Sequence, residues 1–344
     1  MRPPETGAES ARSRLPVAFL PVSHPRSTLC LALLVLTAAL SGCGGSSDPD
    51  RPAPPAAEFP AAKGKTITQV LEGSGAKPTK LVIAPTAQEF EVGPNRYPFG
   101  VFTVGNGQVS DADAALYFAR DENSPVQGPL PARVSSLETK PAYRAQGTEG
   151  PGEAKTVYVV PKVDFDRPGP WLAIAMLKGS RGLEASRVPS PVVLRRSSVP
   201  GAGDRPPAIH TPTGASVGGD LAEIDTRVPP DQMHEVDFAD ALGKQPIVLV
   251  FATPALCQSR VCGPVVDVAQ QVADKYGDQA DFIHMEVYNE NDAGKGVRPQ
   301  LRAFNLQTEP WTFLIDRNGV IRDRIEGAYG VLELEQAMKS ILFG

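Results

Sequence analysis

Apolar residues along this chain fall into two contrasting patterns. Between residues 78 and 196, short runs rich in Val, Ile, Tyr and Phe recur at strand length, separated by turn residues. They predict strands near 81–83, 89–92, 101–104, 115–119, 157–165, 171–177 and 192–194, and helical periodicity is almost absent. Several short strands with little helix predict an antiparallel β-sandwich. From residue 221 to 344 the pattern changes. The run 246–252 is continuously apolar, as in a strand buried on both faces. Val265, Val268, Ala269, Val272, Ala273 and Tyr276 then follow the spacing of one helix face. A second apolar run, 282–288, predicts a parallel neighbour, joined through a right-handed βαβ crossover. Leu301 and Phe304 mark a short helix, the segments 311–315 and 320–325 form a hairpin around Arg317-Asn318-Gly319, and Leu334, Met338, Ile341 and Leu342 line a closing helix.

Two stretches lack such patterns. Residues 44–65 are mostly Gly, Ser, Pro, Ala and charge, which offers little apolar surface to offset the entropy of ordering the backbone. Residues 43–77 are therefore expected to be a flexible tether. Residues 197–219 hold Pro200, Pro206, Pro207 and Pro212 with five glycines, so 197–220 is expected to be a linker between two independently folding domains. Hydrophobic content of 41% and charge of 21% suit a globular protein, while Pro 35 and Gly 32 agree with substantial linker.

Near the N-terminus, Arg2, Arg12, Arg14 and Arg26 precede an uncharged apolar run, 29–40, too short to cross a bilayer as a helix. A basic region, an apolar core and small residues after it form the layout of a secretory signal. Leu40-Ser41-Gly42-Cys43 gives the segment its resemblance to a bacterial lipoprotein signal peptide. The resemblance implies cleavage after residue 42, lipid (palmitate-type) attachment at Cys43, and a mature protein anchored on the extracytoplasmic face of the cell membrane. Removing residues 1–42 takes four Arg and two Glu, leaving 30 basic and 37 acidic side chains and a net charge of −7. That balance provides no basic footprint for nucleic acid.

Cys30 leaves with the signal and Cys43 carries the lipid, so Cys257 and Cys262 remain as the thiols. In an exported protein such a pair is a structural staple or redox machinery. The element order of 221–344, with Cys257 and Cys262 in the turn entering the helix, Cys262-Gly263-Pro264 after it, and Glu309-Pro310-Trp311-Thr312 opening the hairpin, resembles the thioredoxin-like (redoxin) family. The resemblance implies redox cysteines at 257 and 262 and a cis-proline at 310 that aims backbone at them, where an incoming peptide strand could pair. Similarly, Arg167-Pro168-Gly169-Pro170-Trp171 looks like the turn that feeds a core strand in immunoglobulin-like domains, with Trp171 inside. The expected architecture is thus an immunoglobulin-like sandwich over 78–196 and a thioredoxin-like α/β domain over 221–344.

The chain departs from the redoxin pattern in three ways. Its motif is C-x-x-x-x-C instead of C-x-x-C, and Leu256 stands where an aromatic often precedes the first cysteine. Val248-Leu249-Val250 also lacks the buried acid that often moves protons in the family, so either proton transfer differs or turnover is slow. A disulfide remains feasible, because one turn of backbone can bring the Cα atoms within about 4.4–6.8 Å. Gly263-Pro264 can start a helix, placing Cys262 where free amides and the helix dipole favour a thiolate. Family analogy makes Cys257 the nucleophile and Cys262 the resolving thiol, whereas the helix-terminus argument favours the reverse. Arg260 either adds positive charge or is a solvated loop residue.

The function expected is exchange with protein thiols or disulfides in the extracytoplasmic space. Two alternatives stand beside it. Exported thioredoxin-like copper chaperones use two cysteines and a distant histidine, for which His284-Met285 and Met233-His234 offer candidates, since soft thiolates suit Cu(I). A catalytically silent binding module would keep the disulfide as a staple. No phosphate-binding Gly loop, H-E-x-x-H or G-x-S-x-G motif occurs, and no cofactor is expected.

Overall fold

A computed structural model describes residues 50–146, 153–257 and 259–343. The expected signal peptide 1–42 and the lipidation residue Cys43 lie outside the described residues. None of the helices among the described residues is long and apolar enough to cross a membrane.

The N-terminal lobe is all-β. Its strands are β1 (Lys77–Pro78), β2 (Val82–Pro85), β3 (Phe90–Glu91), β4 (Gly93–Phe102), β5 (Asp113–Ala119), β6 (Gln127–Ser136), β7 (Thr156–Phe165), β8 (Gly169–Pro170), β9 (Leu172–Gly179), β10 (Gly182–Val188) and β11 (Val192–Leu194). Eight of them run in the order β1-β10-β9-β5-β6-β7-β4-β2, and β3, β11 and β8 form a small second sheet. The first half of β6 pairs with β5 and its second half with β7, so one strand serves both halves of the large sheet. One continuous core results, with Phe90, Tyr97, Phe99, Phe118, Tyr158, Phe165 and Trp171 at its centre. Trp171 stacks near Phe165, and its indole N–H donates to Arg167 O at 3.2 Å.

Three strand features escaped the sequence pattern. β4 contains Pro94 and Pro98, and β6 contains Pro129 and Pro131, residues normally excluded from strand interiors. Shifts of register at Asn95/Tyr97 in β4 and at Leu116/Phe118 opposite β6 accommodate them. β10 is half-buried along most of its length and so lacks a clear apolar run.

The expected tether is ordered from Asp50 onward, which corrects the reading of 43–77 as flexible across its described part. Helix α1 (Ile67–Ser74) begins with a capping box between Thr66 and Gln69 and ends at Gly75 in the left-handed region. Phe59, Ala62, Ile67 and Val70 bury against Ala115, Tyr117, Ile174 and Met176 on the outer face of β5 and β9. Few apolar residues are involved, but the sheet supplies an apolar face for each of them.

The C-terminal lobe carries the α/β order expected. After α2 (Phe238–Ala241) come β12 (Ile247–Phe251), α3 (Cys262–Tyr276), β13 (Asp281–Met285), α4 (Pro299–Ala303), β14 (Trp311–Ile315), β15 (Ile321–Glu326) and α5 (Val331–Leu342). The sheet order is β13-β12-β14-β15, with β13 parallel and β14 antiparallel to β12. β12 is buried on both faces. Val248 and Val250 pack with Val265, Val268, Leu334 and Met338 from α3 and α5, while Leu249 and Phe251 face Phe304 and Phe313.

The expected linker is part of this lobe. Val199 and Ile209 are buried in the layer that covers β12 and β14. Gly203 N–H donates to Ile321 O at 2.8 Å and Ile321 N–H to Asp204 O at 3.0 Å, so this stretch lies along β15. The described residues from 50 onward, with both lobes and the stretch between them, belong to one compact unit. The lobe interface is polar and close. Glu333 of α5 receives a two-pronged contact from Arg96 at 2.7 and 2.9 Å and a third from Arg133 at 2.7 Å. Arg96 also donates to Ala328 O at 2.5 Å and Glu326 O at 3.2 Å. The Glu326 carboxylate accepts from Gln88 N and Glu89 N at 3.0 and 2.8 Å. Gly330 and Gly327 allow backbone approach, since a Cβ there would stand 2.3 Å from Ser136 O and 2.1 Å from Thr86 O.

Burial works against the Glu333 carboxylate, but the Arg96 and Arg133 guanidiniums outweigh it and hold its carboxyl below the usual range. Stability from this group is therefore present above the unfolded-state pKa and is lost as pH falls through the lowered folded value. Glu333→Ala is expected to cost about 3–5 kcal/mol at neutral pH, because it leaves two guanidiniums facing a vacated site. In denaturant titrations, the gap between wild type and Glu333→Gln should narrow as pH drops through the acid range. A gap independent of pH would exclude this role for the carboxylate.

Candidate functional site

Three segments meet around the cysteine pair: the loop from β12 to α3, the residue pair that opens β14, and the loop from β15 to α5. β12 delivers the chain to Ala252, whose N–H still donates to Met285 O at 3.2 Å. The loop then turns through Thr253 and Ala255, and Ala255 N–H is held by the Thr226 hydroxyl at 3.0 Å. Cys257 and Cys262 are joined as a disulfide with Cα atoms 5.9 Å apart. The longer C-x-x-x-x-C spacing is therefore compatible with the bond, as expected.

The two sulfurs have different surroundings. Cys262 is the first residue of α3 and is fully buried. Among the described residues no side chain caps that helix start, which leaves its first amides facing the disulfide end. Cys257 is half-buried, and the Ser259 hydroxyl lies 3.1 Å from its sulfur. Cys257 is thus the sulfur an external thiolate can reach, whereas Cys262 occupies the position that favours a leaving thiolate.

The Glu309-Pro310 peptide is cis, as the resemblance implied. Immediately before that proline, Glu309 brings a carboxylate oxygen to the disulfide: it and both sulfurs lie within 4.8 Å of one another. Burial raises the Glu309 pKa. A carboxyl whose pKa is raised by burial, set beside a buried sulfur, can exchange a proton with a departing thiolate. The sequence of β12 holds no acid, and along the chain Glu309 stands out only as the neighbour of Pro310. Its adjacency to the proline set against the cysteines was the available signal.

The β-lobe closes over part of this loop. Val261 is buried in a cluster with Leu137, Ala154, Val157, Val159 and Ala328. Ala154 N–H donates to Arg260 O at 3.2 Å, and Arg260 adopts a φ of 61°. Arg260 itself is exposed, and its charge acts on Glu153, whose carboxyl is raised by burial and lowered by that guanidinium. Nearby, Asp267 of α3 accepts from Arg227 Nε at 2.9 Å and Ala145 N at 3.0 Å. A cavity of about 280 Å³ lies between Leu137, Arg144, Ala154, Pro264 and Asp267. The helix start is consequently held from both lobes.

The histidines raised as copper ligands are placed elsewhere. His234 and His284 gather with Asp225 and Asp231, all four buried. Among the described residues, the potential ligand grouped with the two cysteines is Glu309, not a histidine.

No family model matches the chain, and no curated protein matches it. Among solved structures, the chain is similar to one assigned as a thiol:disulfide interchange protein DsbE from Chlorobium tepidum. That match has 18% identity and a TM-score of 0.30, covering 42% of this chain and 99% of the other. A second similarity, to the thioredoxin-like superfamily protein SPOA0173, has 17% identity and a TM-score of 0.25, covering 32% of this chain and 87% of the other.

The difference in exposure gives a direct expectation for the reduced protein. Alkylation followed by peptide mass spectrometry should modify Cys257 roughly tenfold or more faster than Cys262, since reactivity follows access as well as thiolate character. Equal rates would mean that the helix start opens freely in solution.

Proposed function

We propose that this chain is a membrane-anchored, extracytoplasmic thiol-disulfide oxidoreductase that uses the Cys257–Cys262 pair on protein substrates. The observation that carries the proposal is the meeting of three groups: a half-buried and a buried sulfur joined at a helix start, and a carboxyl raised by burial beside both. The order of β12, α3, β13, β14, β15 and α5 supports a thioredoxin-like fold for this lobe. For the N-terminal lobe, the arrangement of β2, β4 and β7 on one side, β5, β9 and β10 on the other, and β6 shared between them supports an immunoglobulin-like sandwich.

In the oxidised protein, a substrate thiolate attacks Cys257 Sγ. A mixed disulfide forms as the Cys257–Cys262 bond breaks, and the Cys262 thiolate leaves into the field of the α3 N-terminus. Glu309 protonates that thiolate. A second substrate thiolate then displaces Cys257, so the substrate gains a disulfide and the protein gains two thiols. The reverse sequence begins at the Cys257 thiolate and reduces a substrate disulfide, with Glu309 taking the proton from Cys262. This gives the site the proton route that β12 lacks. Pro310 shapes the backbone beside the pair. The lipid at Cys43 restricts the reaction to substrates at the membrane surface.

Cys262→Ser is expected to trap a mixed disulfide between Cys257 and a partner, and the double cysteine variant to trap none. Glu309→Gln should slow exchange by about 10²-fold near neutral pH, the usual scale for a lost general acid. It should also remove the matching limb of the pH-rate profile. If purified protein neither oxidises nor reduces model disulfides, and its pair has a potential below about −300 mV, the disulfide is a structural staple and the chain is a binding module.

Anchoring has its own test. Cys43→Ala should abolish metabolic lipid labelling and move the protein from the membrane to the soluble fraction, because stable attachment needs two or more acyl chains. Wild-type protein recovered without lipid would refute this placement.

A further inference from the structure

The second cluster of chemically capable side chains stands apart from the disulfide and has no part in the exchange reaction. Asp225, Asp231 and His234 come from the segment between the 3₁₀ turn Leu221–Glu223 and α2, and His284 comes from β13. None is more than 3% exposed. The segment is held to β13 by His284 N–H donating to Met233 O at 2.8 Å.

We propose that Asp225, Asp231, His234 and His284 form a closed binding site for one divalent cation of the zinc class. One potential ligand atom from each residue lies within 4.8 Å of all the others. His234 Nε2 is 3.4 Å from Asp225 Oδ2 and 3.5 Å from Asp231 Oδ1, while His284 Nδ1 is 3.8 Å from Asp225 Oδ1 and hydrogen-bonded to Asp231 Oδ2 at 2.7 Å. A tetrahedral zinc with bonds of about 2.0–2.2 Å separates its ligand atoms by about 3.3–3.6 Å. The two separations at His234 fall in that span, and the 2.7 Å contact between His284 Nδ1 and Asp231 Oδ2 needs to open by less than about 1 Å, with each carboxylate turning one oxygen to the ion.

A second observation points to a ligand. His234 Nε2 is buried and has no hydrogen-bond partner, although it faces both carboxylates. A buried polar atom of this kind is costly unless something binds it. The outer contacts are those that orient metal ligands. His284 Nε2 donates to Ala252 O at 3.2 Å, turning Nδ1 toward the carboxylates. Asp225 accepts from Arg227 N and Asp231 N at 2.8 and 2.7 Å, and Asp231 accepts from Met233 N at 2.8 Å.

Local charge favours a cation as well. The Arg227 guanidinium is turned away, to Asp267, Pro229 O and Tyr143 O. Glu286, also buried, adds a third carboxylate close to His284. Two imidazoles and two carboxylates suit a borderline divalent ion, and the absence of sulfur among them disfavours Cu(I). Four protein donors leave no open position, so the ion would be structural, stapling the 225–234 segment to β13. Thr226, next to Asp225, holds Ala255 N on the path to Cys257, so the staple would also brace the redox loop.

The test uses the full chain with its disulfide intact, freed of metal by a chelator and titrated calorimetrically with ZnCl₂. One equivalent is expected to bind with submicromolar affinity. His234→Ala and Asp231→Asn should each weaken binding by about 100-fold or more. Cys257→Ser/Cys262→Ser and His210→Ala, the latter altering an exposed histidine, should leave it unchanged. Titration of wild-type chain with Co(II) provides a readout that needs no variant, because a tetrahedral site gives intense visible absorption. Failure of wild-type chain to bind zinc, octahedral cobalt spectra, or zinc binding that persists in His234→Ala and Asp231→Asn would overturn the proposal. These outcomes are independent of whether the cysteine pair exchanges disulfides.

Discussion

Glu333 is the residue on which the relation of the two lobes depends. A carboxylate in so enclosed a position is costly to bury, and its cost is offset here by two guanidiniums that both come from the other lobe. Arg96 enters from β4 and Arg133 from β6, so the start of α5 is positioned by two strands at once. Arg96 also reaches the carbonyls of Glu326 and Ala328, which extends the same constraint into the loop before α5. That loop belongs to the functional site. The polar clasp therefore determines where the β-lobe lies with respect to the disulfide.

The consequence is an asymmetric redox loop. Val261 and Ala328 are covered by Leu137, Ala154, Val157 and Val159, while Cys257 retains access on the other side. Ala154 N–H meets Arg260 O, so backbone from the β-lobe already engages the loop between the cysteines. Under the proposed function, a substrate thiol would approach Cys257 from the side left open. In this arrangement the β-lobe is a fixed wall beside the cysteine loop.

The polar core beneath the loop works on the same principle at shorter range. His284 sits in β13, where burial disfavours its charged form, yet Asp231 and Asp225 raise its pKa above the ordinary imidazole range. Thr226 joins this core to Ala255, and Ala252 O closes it against the end of β12. The turn that presents Cys257 is thus fastened from below by hydrogen bonds and from above by apolar packing. Each fastening limits the movement of the turn that carries Cys257.

The sequence by itself determined the elements whose apolar positions repeat with a single period. β12, α3, β13, β14, β15 and α5 all follow the run lengths and spacings that predicted them, and the pairing of Cys257 with Cys262 was legible because no other thiol remained after residue 43. Period reports which face of one element is buried, and it needs no knowledge of the partner. Segments whose burial depends on a distant partner could not be read this way. Phe59, Ile67 and Val70 looked too sparse to order a Pro-rich stretch until β5 and β9 offered them an apolar face, and Val199 and Ile209 were hidden among prolines and glycines. The same reason separates Glu309 and the Asp225/Asp231/His234/His284 cluster from sequence view. Their chemistry arises from atoms brought together by a cis peptide, a strand register and a folded-back loop, and only the tertiary structure decides those distances.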